Sequence, residues 1–266
     1  MTIDPDRVAA LIREVAARVI MPRFQAPEAH ETIEKAPGEL ATIADREAEI
    51  ELTAAFTGMD PGAEAIGEEA VSAYPALMER VAACDHLWLI DPVDGTNNFI
   101  KGSPDFAVMV ARLQKGRTTH AWIYQPVTDV MVVAETGSGT WIDGTEFHVP
   151  DPPAIANMIG AAHIGRFPPL MRARIEQGLK SVGQNRPLYC AGLDYVALIR
   201  GAKHFSMYSR TLPWDHAPGT LLYTESGGYV ARLDASPYMP ADLAPGILSA
   251  PDVDSWQQLH DLLIGG

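Results

Sequence analysis

Asp91 and Asp94 stand on either side of Pro92-Val93, directly after the run His86-Leu-Trp-Leu-Ile90. Two carboxylates this close in sequence repel each other unless something positive lies between them. A hard divalent cation with oxygen ligands answers that need, and Mg²⁺ prefers such ligands. Gly95-Thr96 follows at once. Glycine lets the main chain approach a ligand closely, and N–H groups exposed at a turn or helix start bind phosphate. One stretch therefore offers cation ligands and an anion cradle side by side. An Asp-Gly pair alone reads as a turn; the whole run asks for more.

The elements that must position these residues follow from the pattern around them. Leu87, Trp88, Leu89 and Ile90 read as a short strand buried on both faces. Pro92 lacks an N–H and fixes φ, so the ladder is expected to stop there and deliver both carboxylates at the strand's end. In open α/β sheets, ligands bind on that side. Upstream, Val8, Ala9, Leu11, Ile12, Val15, Ala16, Val19 and Ile20 mark one face of an amphipathic helix over 4–21. Asp4 and Pro5 form its start and Pro22 its stop. Residues 27–38, which include Lys35, read as a loop or extended segment, and 39–56 as a second helix carrying Asp45. Strands over 106–113, 119–124, 130–135 and 140–142, with a Gly137/Gly139 turn, form an antiparallel meander. Residues 1–150 are thus expected to be a helix-plus-sheet domain.

Pro150, Pro152 and Pro153 mark a boundary, after which the rhythm alternates. Strands are expected over 158–163, near Leu188, and over 204–208, 229–233 and 246–249. Helices are expected over 170–182, 193–199, 214–225 (with Pro218 in its first turn) and 253–264. Residues 151–266 then form an α/β domain with a mainly parallel or mixed sheet covered by helices.

Composition narrows the class. The net charge of −14, from 20 basic and 34 acidic residues, argues against direct nucleic-acid binding. Bound cations would reverse the sign locally for an anionic substrate. Cys84 and Cys190 are too few for a disulfide framework or a zinc site. No apolar run is long enough for a membrane span, and the start, Met-Thr-Ile-Asp-Pro-Asp, lacks a signal-peptide pattern. A cytoplasmic location is expected.

The run Asp91-Pro-Val-Asp-Gly-Thr-Asn-Asn-Phe99 resembles the signature of the inositol monophosphatase family. The stretch 34–49 around Asp45, Gly67-Glu68-Glu69, and Trp214-Asp215 followed by a helix and Glu225-Ser-Gly-Gly228 resemble three further blocks of that family. Tyr189 to Asp194 resembles its substrate-pocket block. The resemblance runs from Lys35 to the final helix. It implies an α/β fold built as a layered αβαβα sandwich, Mg²⁺ dependence with two or three ions per site, lithium sensitivity and a homodimer. It also implies roles. Glu68, Asp91 and the Val93 carbonyl hold one ion, and Asp91, Asp94 and Asp215 hold the second. Thr96 bonds the attacking water, while Asp45 accepts from Thr96 or holds a third ion. Backbone N–H groups of Gly95 and Thr96 bind the phosphoryl oxygens, and Ala191, Tyr208 and Asp215 line the substrate pocket.

The implied activity is hydrolysis of a small polyol or alcohol phosphate, inositol 1-phosphate first. Histidinol phosphate, fructose 1,6-bisphosphate and a 3′-phosphoadenosine nucleotide are the alternative substrates. The alternative outside enzymology is a regulatory binding protein on the same fold. An acidic Ca²⁺-binding module leaves Gly95-Thr96 unexplained, and the chain has no EF-hand loop. The chain departs from the family at four places. Tyr189 replaces a glycine, and Cys190 replaces a small hydroxyl residue. Tyr208 stands where inositol-cleaving members carry a glutamate that contacts the sugar hydroxyls, and His216 stands at a usually apolar position.

Overall fold

The structure, a computed structural model, describes residues 3–25, 32–36 and 39–265, without the side chains at 35, 36 and 39. The Lys35 side chain and residues 27–31, 37 and 38 of the expected loop or extended segment lie outside the described residues. Asp4 caps α1 (Pro5–Val15) by accepting from the N–H groups of Asp6 and Arg7. The expected 4–21 helix changes its winding rather than stopping: residues 16–20 are π-helical and 21–23 form a 3₁₀ turn that contains Pro22.

A hairpin follows, with β1 (Thr32–Ala36) antiparallel to β2 (Glu39–Thr42). Helix α2 (Ile43–Met59) therefore begins at Ile43, not at Glu39 as expected. Pairing takes Glu39 to Thr42 into the hairpin, and Thr42 then closes a capping box with Asp45.

Next come β3 (Glu64–Gly67), α3 (Glu68–Ala73), α4 (Met78–Ala83), β4 (His86–Asp94) and α5 (Thr96–Ile100). The meander comprises β5 (Ala107–Gln114), β6 (Arg117–Gln125), β7 (Val130–Glu135), β8 (Thr140–Ile142) and β9 (Thr145–Phe147). Strands β3 to β9 lie in chain order in one sheet, with β3 parallel to β4 and every later pair antiparallel. The expectation that β4 stops at Pro92 is corrected. Asp91 pairs with Met109 and Asp94 with Ala107, so Pro92 and Val93 form a bulge and pairing resumes. A bulge is where a strand tolerates a missing N–H, and it re-aims the flanking side chains.

The second sheet uses β10 (Ile159–His163), then α6 (Pro169–Gly178), β11 (Gln184–Asn185), α7 (Ala191–Ile199) and β12 (Phe205–Tyr208). It continues with α8 (Pro213–Glu225), β13 (Tyr229–Arg232), β14 (Ile247–Ala250) and α9 (Val253–Leu263). Its order is β11-β10-β12-β14-β13; β10 runs parallel to β11 and β12, and β14 antiparallel to β12 and β13. The strand expected near Leu188 is at Gln184–Asn185 instead, and the Leu188 carbonyl accepts from Asn98 Nδ2 at 2.9 Å. Helix α6 ends at Gly178 and tightens into a 3₁₀ turn over 179–181. Pro218 lies past the first turn of α8, because that helix starts at Pro213.

Side-chain alternation explains the stacking. Trp88, Ile90, Val108, Val110 and Trp122 share one face of the first sheet with α1 and α2. Phe56 of α2 stacks on Trp88 with ring centroids 4.6 Å apart. Ala107, Met109, Ala121 and Ile123 face the other way, against α7 and α8. The same cluster contains Tyr208 and Ile247 of the second sheet. That sheet's far face, with Phe205, Met207 and Leu248, packs on α6 and α9 through Ile175, Trp256 and Leu259. The result is a helix–sheet–helix–sheet–helix sandwich. Among the described residues, no helix is long and apolar enough to cross a membrane.

Candidate active site

Three segments remote in sequence meet at the bulge of β4. Carboxylate oxygens of Glu68, Asp91 and Asp215 all lie within 4.8 Å of one another. Glu68 arrives as the first residue of α3, Asp91 from the bulge, and Asp215 from the first turn of α8. A cavity of about 230 Å³ is lined by these three together with Val93, Asp94, Gly95 and Thr96. Asp94 sits in this lining but outside the tight trio. Its Oδ2 accepts from Gly192 N–H at 2.6 Å and from Cys190 Sγ at 3.0 Å, which caps α7.

Burial holds the charge of these groups in check. The Asp91 carboxyl is pushed well above the ordinary carboxylate range, first by burial and then by repulsion from Glu68, Asp94 and Asp215. Burial also lifts Asp94 to about 6, against the hydrogen bonds from Gly192 and Cys190. Carboxylates forced together where water cannot screen them are a donor set that fits a hard divalent cation.

Asp45 lies beside the trio. It is pushed up to about 7, mainly by burial, although Thr42 hydrogen-bonds to it. Its Oδ1 lies 3.2 Å from Thr96 Oγ1, which is also 3.0 Å from the Val93 carbonyl. Gly95 has φ of +89°, and a Cβ there would sit 2.9 Å from the Asp105 carbonyl oxygen. Only glycine fits that turn without moving main chain.

Sequence reasoning passed over Glu49, one helical turn after Asp45. Its carboxylate accepts from the N–H groups of Glu69 at 2.7 Å and Ala70 at 2.8 Å, the first turn of α3, which fixes where Glu68 emerges. Burial lifts it to about 7. Gly67 makes room for it: a Cβ there would lie 2.1 Å from the Glu49 carboxyl. The available signal was the i, i+4 spacing of Asp45 and Glu49 on one helix face.

A second cavity, of about 480 Å³, adjoins the first and shares Asp94, Asn97, Tyr189, Asp215, Arg166 and Arg210 with it. Ala191, Tyr208, His163 and His216 complete much of its wall. Tyr208 stacks on His163 at 4.7 Å and tilts against His216 at 4.5 Å. His163 Nε2 is 2.7 Å from Asp194, which is ion-paired with Lys203. Burial pushes His216 down to about 3, so this ring is neutral at ordinary pH. Tyr189 holds φ of +57° with 71% of its surface exposed, a left-handed conformation that explains why a glycine suits this position. Neither arginine carried a sequence signal.

The fold and site define a class: a layered α/β protein whose buried carboxylates converge on a cavity beside a glycine turn. The chain belongs to the inositol monophosphatase family, whose model matches residues 5–265. It is 30% identical over 209 residues to an inositol-1-monophosphatase of Mesorhizobium japonicum, covering 75% of this chain and 74% of that one. It is 28% identical over 202 residues to a fructose-1,6-bisphosphatase/inositol-1-monophosphatase of Thermotoga maritima, covering 75% of each. The crystal structure of the extragenic suppressor protein suhB from Bartonella henselae superposes with a TM-score of 0.81 at 22% identity, covering 98% of this chain and 99% of that one. The αβαβα expectation agrees with that likeness.

Proposed function

We propose that this protein is a Mg²⁺-dependent phosphomonoesterase that hydrolyses the phosphate ester of a small alcohol. The observation that carries the reading is the convergence of Glu68, Asp91 and Asp215 oxygens within 4.8 Å, in one cavity with Asp94, Gly95 and Thr96. Glu68, Asp91, Asp94, Asp215 and the Val93 carbonyl would hold two magnesium ions, with a third near Asp45. When bound, magnesium supplies positive charge for the phosphoryl oxygens and acidifies a coordinated water. The chain's own residues do the rest. The Thr96 hydroxyl has a single proton to donate, to Asp45 or to the Val93 carbonyl. Its lone pairs stay available to orient an attacking water, whose proton passes toward Asp45. N–H groups of Gly95 and Thr96 bind the phosphoryl oxygens. A homodimer is part of the proposal and is read by light scattering.

The test is phosphate release from a panel of monoesters, with inositol 1-phosphate as reference, in Mg²⁺, in chelator and in lithium. Release in Mg²⁺, none in chelator and inhibition by lithium are expected. Asp215→Asn lowers turnover by at least about 100-fold, as expected when electrostatic stabilisation is removed, with an unchanged circular dichroism spectrum. Turnover that survives chelation refutes the metal assignment. Release from no ester at all favours the second reading, a regulatory binding protein on the same fold.

A further inference from the structure

Strands β10 and β12 run parallel and end side by side, His163 next to Tyr208. Ligands bind beyond the carboxyl ends of such strands. Both residues stand in the wall of the 480 Å³ cavity beside the carboxylates. Their rings stack at 4.7 Å and lie 6° from parallel, and Tyr189 stands at 87° to the His163 ring at 5.6 Å. One end of the histidine is tied down. Its Nε2 is 2.7 Å from Asp194 Oδ2, and Asp194 is fully buried. The same carboxylate also takes the Lys203 ammonium and, at 3.4 Å, the Leu188 N–H. A buried charge is costly unless it is paired and hydrogen-bonded, and this pairing ends in an imidazole of fixed orientation. A carboxylate that only accepts leaves the proton on Nε2 and a lone pair on Nδ1. Among the described residues Nδ1 takes no partner, and 18% of the side chain is open in the cavity wall.

Other polar groups of this wall are engaged or out of reach. His216 places Nε2 2.9 Å from the Arg210 carbonyl and Nδ1 3.2 Å from the Tyr195 hydroxyl. Cys190 Sγ donates to Asp94, and Ser209 Oγ donates to the His163 carbonyl. The Tyr208 hydroxyl is buried with no hydrogen-bond partner among the described residues, so this side chain meets the cavity as ring surface. Asp94 and Asp215 belong to the acidic cluster. Tyr208 stands where inositol-cleaving members carry a glutamate, so this chain lacks that acceptor, and an imidazole on the neighbouring strand offers one on the same wall. We infer that His163 is a specificity-determining residue: its Nδ1 accepts a hydrogen bond from a hydroxyl on the alcohol part of the substrate. Asp194 and Lys203 are its positioning residues. This rests on the phosphatase reading above.

Two substitutions separate this role from a merely structural one. An asparagine side chain ends where Nδ1 of a histidine stands, and a glutamine side chain ends where Nε2 stands. His163→Asn therefore keeps an acceptor toward the cavity and gives up the bond to Asp194, whereas His163→Gln does the reverse. The substrates are matched esters: inositol 1-phosphate against cyclohexyl phosphate, and glycerol 2-phosphate against isopropyl phosphate. The readout is the ratio of kcat/KM, hydroxylated ester over bare ester, which cancels any loss of folded enzyme. A ratio above one is expected in at least one pair. In His163→Gln it falls by about 3- to 10-fold, the range of one neutral hydrogen bond, and in His163→Asn it falls less. A wild-type ratio at or below one in both pairs overturns the inference. So does an unmoved ratio in His163→Gln, or a ratio in His163→Asn no higher than in His163→Gln, as support of Asp194 alone would give. Each of these leaves the phosphatase standing. If no ester is cleaved, the phosphatase reading falls by itself. The same ratios, taken from calorimetric affinities of the esters in Mg²⁺, then still decide whether His163 selects a hydroxyl.

Discussion

Removing the metal should invert the usual dependence of stability on pH. Asp45 and Glu49 are one turn apart on α2, both buried, and both pushed up to about 7 by that burial. Their ordinary values are 3.8 and 4.5. A carboxyl whose folded value is raised favours the folded state while it keeps its proton, and that contribution is lost as pH rises through the folded value. Between about pH 5 and pH 8 the unfolded chain has already released these protons, whereas the folded protein must give them up. At about 1.4 kcal/mol per pKa unit, each group removes about 2–3 kcal/mol of stability across that window, about 5 kcal/mol for the pair. Asp91 and Asp94, raised for the same reason, act in the same direction. Magnesium opposes the trend because it binds the ionised carboxylates. At tenfold excess over its dissociation constant it restores about 1.4 kcal/mol per site. The assay is urea denaturation at pH 5, 6, 7 and 8, in chelator and in Mg²⁺. Stability in chelator falls steadily with pH, and Asp45→Asn removes about 2–3 kcal/mol of that fall. Flat or rising stability from pH 5 to 8 without metal refutes the reasoning, as does an Asp45→Asn protein with an unaltered slope.

Gly67→Ala forces its new methyl into the Glu49 carboxyl, which cannot retreat without releasing the Glu69 and Ala70 N–H groups. A loss of about 2–4 kcal/mol in urea melts is expected, together with a higher Mg²⁺ requirement, because two buried donors lose their acceptor. Tyr189→Gly relieves a left-handed backbone while giving up little packing, since the ring is 71% exposed. It should raise stability by about 1 kcal/mol, measured by the same melts, and weaken binding at the mouth of the larger cavity.

Much of the site was legible because its chemistry is written in short runs. Asp91-Pro-Val-Asp-Gly-Thr is contiguous, so proximity of two carboxylates, a prolyl interruption and a glycine turn needs no tertiary knowledge. The long elements were equally plain: α1 and α9 each bury one face at the helical period, and the central meander strands β5 and β6 are apolar runs buried on both faces. Short pieces were not. Strand β3 and helices α3 and α5 are too brief to show a period, and their existence depends on partners such as Leu87 to Ile90 and Glu49. Pro92 was read as a stop because a proline cannot donate. Only the neighbouring strand decides that a bulge absorbs the missing bond and lets pairing resume at Asp94.

Sequence by itself determined that the chain has carboxylates, a glycine turn and enough alternating apolar surface for stacked layers. Packing alone decided which distant residues share a cavity. Asp215 reaches Asp91 because α8 is sandwiched between two sheets. Arg166 and Arg210 stand together because Ser209 bonds across two loops that follow parallel strands. Local propensity acts over a few residues, whereas the position of a side chain across a sheet is fixed by contacts between residues far apart in the chain.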